Sequence, residues 1–411
     1  MDHSNARRNA ALLLVYAGLA GHAFFVPISI AGMQIALGVA AAGLLLALPR
    51  PLRTALDAPV LAFVGLAVLS DLWAADGPPP LAFATLWRSV LGFFIVAHGL
   101  RLLPRDAPLK LVFCACAGLA LSSLVGLVQY RTGVDLVYLA HLRPAAALVD
   151  APGVPGRYGA MGFFTSRLTF GHGATLLASF LLGALAAGAV PARRIWIAAG
   201  AAALGLAAVA VTFDRAAWLG AGAAAALVAL CASARVRKAL LPALAVMLLL
   251  ASLHGGIRER FGSSFSPGVN GDRFFLWTQA TRIIRDHPLR GIGFGNYPRL
   301  CGRYYDQVDP SFGMRTWAHN LELSTLAETG PLGLLALLWL LSTAAVALRR
   351  RMRPGGLALG GLAALVAFFV IAQAHDLLYD TKVMYGLWLL LGLSLSPAEA
   401  ASPGSPPARA G

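Results

Sequence analysis

The hydrophobic positions of this sequence come in long, uninterrupted runs that recur from one end of the chain to the other. Each run has about 18 residues or more, which is enough for an α-helix to cross the hydrocarbon layer of a membrane. Such continuous runs of Ala, Leu and Gly favour helices over barrel strands, because backbone polar groups in lipid must be satisfied within the segment. Twelve spans are predicted, beginning near residues 10, 29, 57, 82, 107, 168, 194, 215, 238, 331, 355 and 380.

The connections between these runs differ in charge. If the N-terminus lies in the cytoplasm, the inner connections contain most of the basic residues, as in "RRRMR" at 349–353, whereas the outer connection "DLWAADGPPP" at 71–80 has no Lys or Arg. This distribution follows the positive-inside rule, so both termini are predicted to be cytoplasmic. Two connections, 130–167 and 254–330, are much longer than turns and fall on the outer side, where long loops are usually functional.

The fold class predicted from this pattern is all-α: a polytopic integral membrane protein in which residues 1–411 form a single unit. The composition supports a lipid environment, because charged residues make up 12% of the chain, against about 25% in soluble domains. The net charge of +15 would indicate nucleic acid on a soluble domain, but here basic residues flank membrane spans. No nucleic-acid partner is therefore predicted.

The sequence offers no metal or disulfide pattern. It has four Cys without a CxxC spacing, and it lacks DxD and HExxH motifs, so neither a disulfide framework nor a metal site is expected from spacing. The prediction is a protein without a metal or cofactor, in which the charge of any phosphate substrate is met by Arg.

The second long connection has more Arg than orientation explains. Between residues 254 and 317 it holds nine Arg against five acids, the Arg being at positions 258, 260, 273, 282, 285, 290, 299, 303 and 315. One interpretation is a solvated basic surface; the other is an outward-facing anion site, because the planar guanidinium group binds phosphate oxygens through two hydrogen bonds. Arg273 is the leading candidate, since it lies at the start of a predicted helix, where anions are favoured. Trp277 lies on the same helix, and "GIGFGN" at 291–296 predicts a tight turn and not a nucleotide loop.

Two further Arg lie at the outer ends of predicted spans. Asp214 and Arg215 form a short outer hinge. Arg215 either extends its charged end into the membrane interface without a specific function or belongs to the anion site. Arg88 lies within a span, where burying it costs about 2.5 to 3.5 kcal/mol, so a partner such as Asp71 or a phosphate is expected.

The stretch "TWAHNLELSTLAETGPLG" at 316–333 predicts a short outer helix from Ala318 that is interrupted at Gly330-Pro331. His319 and Glu322 are three residues apart on this helix, so the acid could orient the imidazole. A buried structural His is the alternative, but the adjoining Arg-rich connection favours His319 as a catalytic base. His375 and Asp376, at the outer end of another span, form a candidate supporting pair.

Three of these stretches resemble the O-antigen ligase/polymerase superfamily. "WAHNLELSTLAETGPLG" at 317–333 resembles the His-Asn-x-x-Leu…Ala-Glu-x-Gly-x-x-Gly motif of that family, and "DRFFLWTQATRIIRDHPLRGIGFGNY" at 272–297 resembles the loop segment before it. "DRAAWLG" at 214–220 is similar to the Ser-Arg-x-x-Trp-Leu element, with Asp214 where Ser is common. The similarity covers roughly residues 205–335, according to these quoted motifs, and is topological elsewhere.

The resemblance implies a GT-C-like enzyme of the bacterial inner membrane, with periplasmic loops at 130–167 and 254–330. Its donor would be O-antigen linked to undecaprenyl pyrophosphate, and its acceptor would be lipid A-core at the periplasmic face. Transfer would be metal-independent and would invert the anomeric centre, with His319 as the base beside Glu322. The substrate contacts implied by the motifs, or expected from the candidates above, are Arg215, Arg273, Arg88, Arg290, Asn320 and Trp277.

The motifs leave the member of the superfamily open. An O-antigen polymerase would use the same donor and extend the lipid-linked glycan. A protein O-oligosaccharyltransferase is less favoured, because such relatives tend to carry more C-terminal sequence than "SPAEAASPGSPPARAG" at 396–411. A lipid-linked sugar transporter is also less favoured, because the two halves of the chain do not match and the charged clusters lie at the outer edge, not at the midplane.

Overall fold

A computed structural model of the chain describes residues 3–50, 53–72, 74, 82–141, 148–263, 271–305 and 317–396. Over these residues the regular secondary structure is helical apart from one isolated bridge between Asp150 and Tyr158. The α-helices of the described part are α1 (His3–Phe25), α2 (Ile30–Ala47), α3 (Asp57–Leu72), α4 (Ala82–Leu102), α5 (Ala107–Thr132), α6 (Leu136–Leu139), α7 (Arg167–Ala186), α8 (Ile195–Ala210), α9 (Arg215–Cys231), α10 (Ala234–Leu253), α11 (Gly255–Gly262), α12 (Gly271–Asp286), α13 (Tyr297–Leu300), α14 (Leu321–Arg350), α15 (Ala358–Ala372) and α16 (Thr381–Leu395).

Each of the twelve predicted spans coincides with one of these helices, namely α1 to α5, α7 to α10 and α14 to α16. Within the described part of the chain, six helical segments are long and apolar enough to cross a membrane: Ile30–Ala47, Ala107–Thr132, Arg167–Ala186, Ala192–Ala210, Ala234–Leu253 and Leu321–Arg350. The shorter apolar helices there include α9, α15 and α16. The all-α membrane architecture is therefore supported, whereas the count of twelve crossings and the periplasmic side of the long connections stay predictions.

Close packing of α7 against α15 fixes the relative positions of two elements that carry site residues. A Cβ atom on Gly183 of α7 would lie 2.7 Å from the Cα atom of Gly360 in α15, so only glycine allows this approach. Small residues at such crossings let helix backbones meet, which is how helices associate in membranes. Helix α15 also packs against α9, and α16 packs against α4 and α7. Helices α7, α9 and α15 are thus held next to one another.

The long second connection folds into a small helical unit with its own apolar cluster. Ile283 of α12, together with Ile292 and Tyr297, packs against Ala327 in the first part of α14. A hydrogen bond joins this unit to α3: the backbone N–H of Phe294 donates to Ser70 Oγ over 3.0 Å. The predicted tight turn at 291–296 is confirmed, since its three glycines have positive φ angles of 66°, 92° and 79°.

This turn also explains how α14 tolerates the interruption that the sequence predicts. Gly330 has φ 70° and ψ −174°, so α14 consists of two helical parts, 321–329 and 331–350. The carbonyl groups that the first part leaves unpaired accept hydrogen bonds from the turn: Ile292 N–H donates to Ala327 O over 2.9 Å and Gly293 N–H to Glu328 O over 2.8 Å. The predicted break at Gly330 is confirmed, and the glycine turn is its cap.

Gly291→Ala is expected to destabilise this unit more than Gly156→Ala does. Both glycines have a positive φ angle, which costs a non-glycine residue about 1 to 2 kcal/mol. A Cβ at Gly291 would also lie 2.4 Å from the carbonyl oxygen of Glu328, whereas nothing lies within 4 Å of a Cβ at Gly156. Overpacking of this kind adds about 1 to 3 kcal/mol. Thermal unfolding of the two variants in detergent measures the difference, and equal midpoints would contradict the capping role.

Candidate active site

The corner between α8 and α9 gathers charged side chains from three parts of the chain. Phe213 adopts a left-handed conformation with φ 56°, which turns the chain into α9. The carbonyl oxygen of Thr212 accepts a hydrogen bond from Arg167 over 2.6 Å, and that of Phe213 accepts one from Arg260 over 3.3 Å. Asp214 caps the helix, because its carboxylate accepts from the backbone N–H of Ala216 over 3.1 Å. The corner therefore anchors arginines from α7 and α11 beside the first residue of α9.

Four arginines, Arg167, Arg215, Arg260 and Arg273, form what we call the arginine cluster. The charge of Arg215 interacts with those of Arg260 and Arg273, and the charge of Arg167 interacts with that of Arg260. The carboxylate of Asp214 interacts with Arg167, Arg215 and Arg273 and offsets part of this repulsion. A concentration of like charges beside one carboxylate favours a multiply charged anion such as a phosphate group.

The arginine cluster brings together Arg215 and Arg273, both predicted as substrate contacts. Arg260 was one of the nine arginines of the second long connection, and the sequence did not single it out. Arg167 was missed, although its position at the outer end of the span that begins near residue 168 is the signal that drew attention to Arg215.

His319 precedes α14 and is not part of it. The helix begins at Leu321, because Asn320 is the N-cap and its Oδ1 accepts from the backbone N–H of Leu323 over 2.9 Å. His319 itself has φ 51°, which is incompatible with a helical turn. The prediction of a helix from Ala318 was therefore wrong at this end, and the three-residue spacing of His319 and Glu322 does not place them on one helical face.

The carboxylate that holds the His319 segment is Asp376. One oxygen of Asp376 accepts from the backbone N–H of His319 over 2.7 Å, and the other accepts from the hydroxyl of Ser324. Burial raises the pKa of Asp376 to about 7, although these hydrogen bonds act in the opposite direction. Glu322 instead accepts a hydrogen bond from Gln373 Nε2 over 2.8 Å. Asp376 therefore holds the backbone of the His319 segment, and a catalytic role of Glu322 stays a prediction.

A second group of buried side chains links His319 to the arginine cluster. The ring centres of His319 and His375 are 5.8 Å apart in an edge-on arrangement, and those of His375 and His172 are 4.4 Å apart. His172 Nε2 lies 2.8 Å from Asp214 Oδ2. Although burial opposes ionisation, the two histidines beside Asp214 hold the pKa of its carboxyl well below the usual range. Burial lowers the pKa of His375, and the charge of Arg273 acts in the same direction.

Sequence reasoning missed His172, which lies in the first turns of the apolar helix α7. A polar residue inside an apolar span is itself a signal of function. The group also bears on the predicted absence of a metal site: the ligand atoms of His172, Asp214 and His375 all lie within 4.8 Å of one another. Because these residues come from three separate elements, no spacing along the sequence could have indicated the group.

A cavity of about 1000 Å³ borders these residues. Its polar wall includes His172, His319, His375 and Asp376, and Trp317 and Tyr379 lie beside them with ring centres 4.3 Å apart. The lining also contains apolar side chains from several elements: Phe25, Ile28, Ile30, Val137, Phe163, Phe164, Leu168 and Leu377. The cavity is therefore suited to an amphipathic ligand whose polar end reaches His319.

The other residues that the sequence predicts to contact the substrate lie in different surroundings. Arg290 is exposed in the turn after α12, and Arg88 is exposed on α4, where its charge interacts with Tyr385. Trp277 is half-buried on α12 with its ring centre 5.7 Å from that of Phe274. Asn320 uses its amide within the protein, since its Nδ2 also donates to the carbonyl oxygen of Gln373 over 3.3 Å. Both amide atoms thus make hydrogen bonds that hold the His319 segment, and a contact of Asn320 with the substrate stays a prediction.

The fold and the site together define a multi-pass helical membrane protein in which His319 lines an amphipathic cavity and a buried group of two histidines and Asp214 links it to the arginine cluster. Residues 200–338 match the family model described as O-antigen ligase. The matched residues include the three motifs quoted above and confirm their resemblance to this family. The family implies a glycosyltransferase of the ligase or polymerase type that acts on lipid-linked glycans. No curated protein matches the chain.

Proposed function

We propose that this protein is an O-antigen ligase of the bacterial inner membrane. It transfers O-antigen polysaccharide from undecaprenyl pyrophosphate to lipid A-core at the periplasmic face, and both of its termini are cytoplasmic. The observation that carries the proposal is the proximity of the arginine cluster, the His319 segment and the cavity, which are joined through Asp214 and His375. These are the three parts that a lipid-linked pyrophosphate donor and a sugar hydroxyl acceptor require.

In the proposed reaction His319 is the general base. The acceptor hydroxyl oxygen attacks the anomeric carbon of the donor, and its proton passes to the His319 imidazole. The bond between the anomeric carbon and the pyrophosphate oxygen breaks, and its electron pair stays on the pyrophosphate. Attack from the face opposite the leaving group inverts the anomeric centre.

The arginine cluster stabilises the charge of the leaving group. Arg215 and Arg273 bind the pyrophosphate, with Arg260 and Arg167 behind them, and their electrostatic effect is largest where the site excludes water. Hydrogen bonds to the carbonyl oxygens of Thr212 and Phe213 already hold Arg167 and Arg260 in place. Such preorganised cations can stabilise the leaving group without a metal ion, so the proposed transfer is metal-independent.

A polymerase would use the same donor chemistry, so the acceptor must be tested directly. The experiment compares the lipopolysaccharide ladder and the undecaprenyl-linked glycans of a strain lacking this chain with those of the same strain expressing it. Core-only lipopolysaccharide with long glycans on the lipid carrier is expected for a ligase. Core carrying one repeat unit would identify a polymerase, and an unchanged ladder would overturn the proposal. Expression of His319→Ala in the deletion strain is expected to leave the ligase phenotype uncorrected.

A further inference from the structure

Three buried side chains meet between the arginine cluster and His319. His172, Asp214 and His375 are 2%, 4% and 8% exposed. They come from α7, from the N-cap of α9 and from the segment after α15. His172 Nε2 lies 2.8 Å from one oxygen of Asp214, and His375 Nε2 lies 3.8 Å from the other. The side-chain nitrogen and oxygen atoms of these three residues therefore lie close together, although they come from three separate elements.

Polar atoms of this group are left unsatisfied by the surrounding protein. Among the described residues, His172 Nδ1 and Nε2, His375 Nε2 and Asp214 Oδ2 have no hydrogen-bond partner. The short distance between His172 and Asp214 is not aligned for a hydrogen bond. Leaving a buried polar atom unpaired is destabilising. Three convergent side chains with this deficiency call for a ligand that satisfies several of them at once.

The chemistry of these nitrogen and oxygen atoms indicates what would bind between them. Two imidazole nitrogens and one carboxylate oxygen suit Zn²⁺ and similar transition metals, whereas Ca²⁺ and Mg²⁺ prefer oxygen ligands. A four-coordinate zinc ion bound about 2.0 to 2.2 Å from each donor would hold the donors roughly 3.3 Å apart. His172 Nε2 lies 2.8 Å from one oxygen of Asp214 and His375 Nε2 lies 3.8 Å from the other, and one ligand atom of each residue lies within 4.8 Å of the other two.

We propose that His172, Asp214 and His375 bind one divalent transition-metal ion of the zinc class. Three protein ligands leave a fourth coordination position, and His172 and His375 line the cavity, so this position faces it. The arginine cluster opposes a cation here, but Asp214 supplies negative charge at direct contact, where the Coulomb interaction is strongest. The ion joins the outer ends of α7 and α9 to the segment that carries Asp376.

The first test is the metal content of the full-length protein in detergent, purified through an affinity tag that contains no histidine. The protein is stripped with a chelator, equilibrated with Zn²⁺ and separated from free metal by gel filtration. The wild type is expected to retain one zinc ion per chain more than the double variant His172→Gln/His375→Gln. Equal zinc content in the two proteins would overturn the proposal. His319→Gln is the matched control, since its ring borders the same cavity but is not a ligand, and it is expected to retain zinc.

A second measurement does not depend on the folding of a variant. Co²⁺ added to the metal-free wild type is expected to produce the intense visible absorption of a four-coordinate site, and Zn²⁺ is expected to displace it. Absence of these bands in the folded wild type would contradict the proposal. The metal site is independent of the proposed transfer: loss of transfer with retained zinc in His319→Gln supports both, whereas a ligase without zinc binding would refute the metal site alone.

Discussion

Replacing His319 with Ala is expected to lower glycan transfer by about 10² to 10⁴-fold, the usual contribution of a general base. This corresponds to about 2.7 to 5.5 kcal/mol of lost transition-state stabilisation. The donor and the arginine cluster would remain, but no group in the same place would accept the proton of the acceptor hydroxyl. Transfer from purified lipid-linked glycan to purified lipid A-core in detergent measures the effect directly.

The fold should tolerate this change. His319 lies before the N-cap of α14, so neither the helix nor its Asn320 cap depends on the imidazole. The contact with Asp376 uses the backbone N–H of residue 319, which Ala retains. His287→Ala is a suitable control, because His287 belongs to the same long connection but does not line the cavity. Transfer by His319→Ala within tenfold of the control would remove the base assignment.

The membrane architecture was accessible from the sequence because lipid imposes a simple rule on the chain. Every backbone polar group within the hydrocarbon layer must be paired, so a long apolar run has few structures open to it. The twelve predicted runs accordingly coincide with helices, even for α3 and α16, which have only 16 and 15 residues. Helical periodicity was not needed for this prediction, since most of these helices are apolar on all sides.

The breaks in the helices were predictable to different degrees. Gly330-Pro331 was identified as an interruption because proline removes a backbone donor and glycine permits a positive φ angle. The glycine turn at 291–296 was identified as a turn, but its partner was not. Pairing of this turn with the carbonyl groups of Ala327 and Glu328 is a contact across more than thirty residues, and no local pattern encodes it.

The start of α14 shows how a local rule can mislead. Counting three residues from His319 to Glu322 assumed that both were helical, but Asn320 is a strong N-cap residue and its side chain stops the helix there. The carboxylate that positions the His319 segment, Asp376, lies more than fifty residues further along the chain. It was noticed only as part of a supporting pair, because its contact with His319 arises from the packing of α15 beside α14.

The buried histidine group was beyond the reach of motif reading. His172, Asp214 and His375 are separated by at least forty positions, and each has an ordinary local explanation: a polar residue in a span, a helix cap, and a residue at a span end. Their association follows from the contacts of α7 with α9 and α15, for which the glycine contact between Gly183 and Gly360 supplies close approach. Tertiary packing, not sequence spacing, decides which polar residues meet.

Replacing Arg215 with Ala is expected to lower transfer by about 10² to 10³-fold, the effect of removing one preorganised group that stabilises developing charge. Arg215→Lys should fall between the wild type and Arg215→Ala, because Lys keeps the charge but not the two parallel hydrogen bonds to a phosphate. Arg258→Ala is the control, since Arg258 is exposed on α11 near Arg260. Initial transfer rates at saturating acceptor, measured over a range of donor concentrations, separate donor binding from the chemical step.

The same variant distinguishes a functional arginine from a structural one. Arg215 is the first residue of α9, where the helix dipole disfavours a cation, and its charge is repelled by Arg260 and Arg273. Without substrate, removing it should leave the thermal midpoint unchanged or raise it, although the attraction to Asp214 limits the gain. Unimpaired transfer combined with a lower midpoint would mean that Arg215 maintains the fold and that other groups hold the pyrophosphate. A large loss of transfer at an unchanged or higher midpoint would mean that the protein tolerates this repulsion in order to bind its donor.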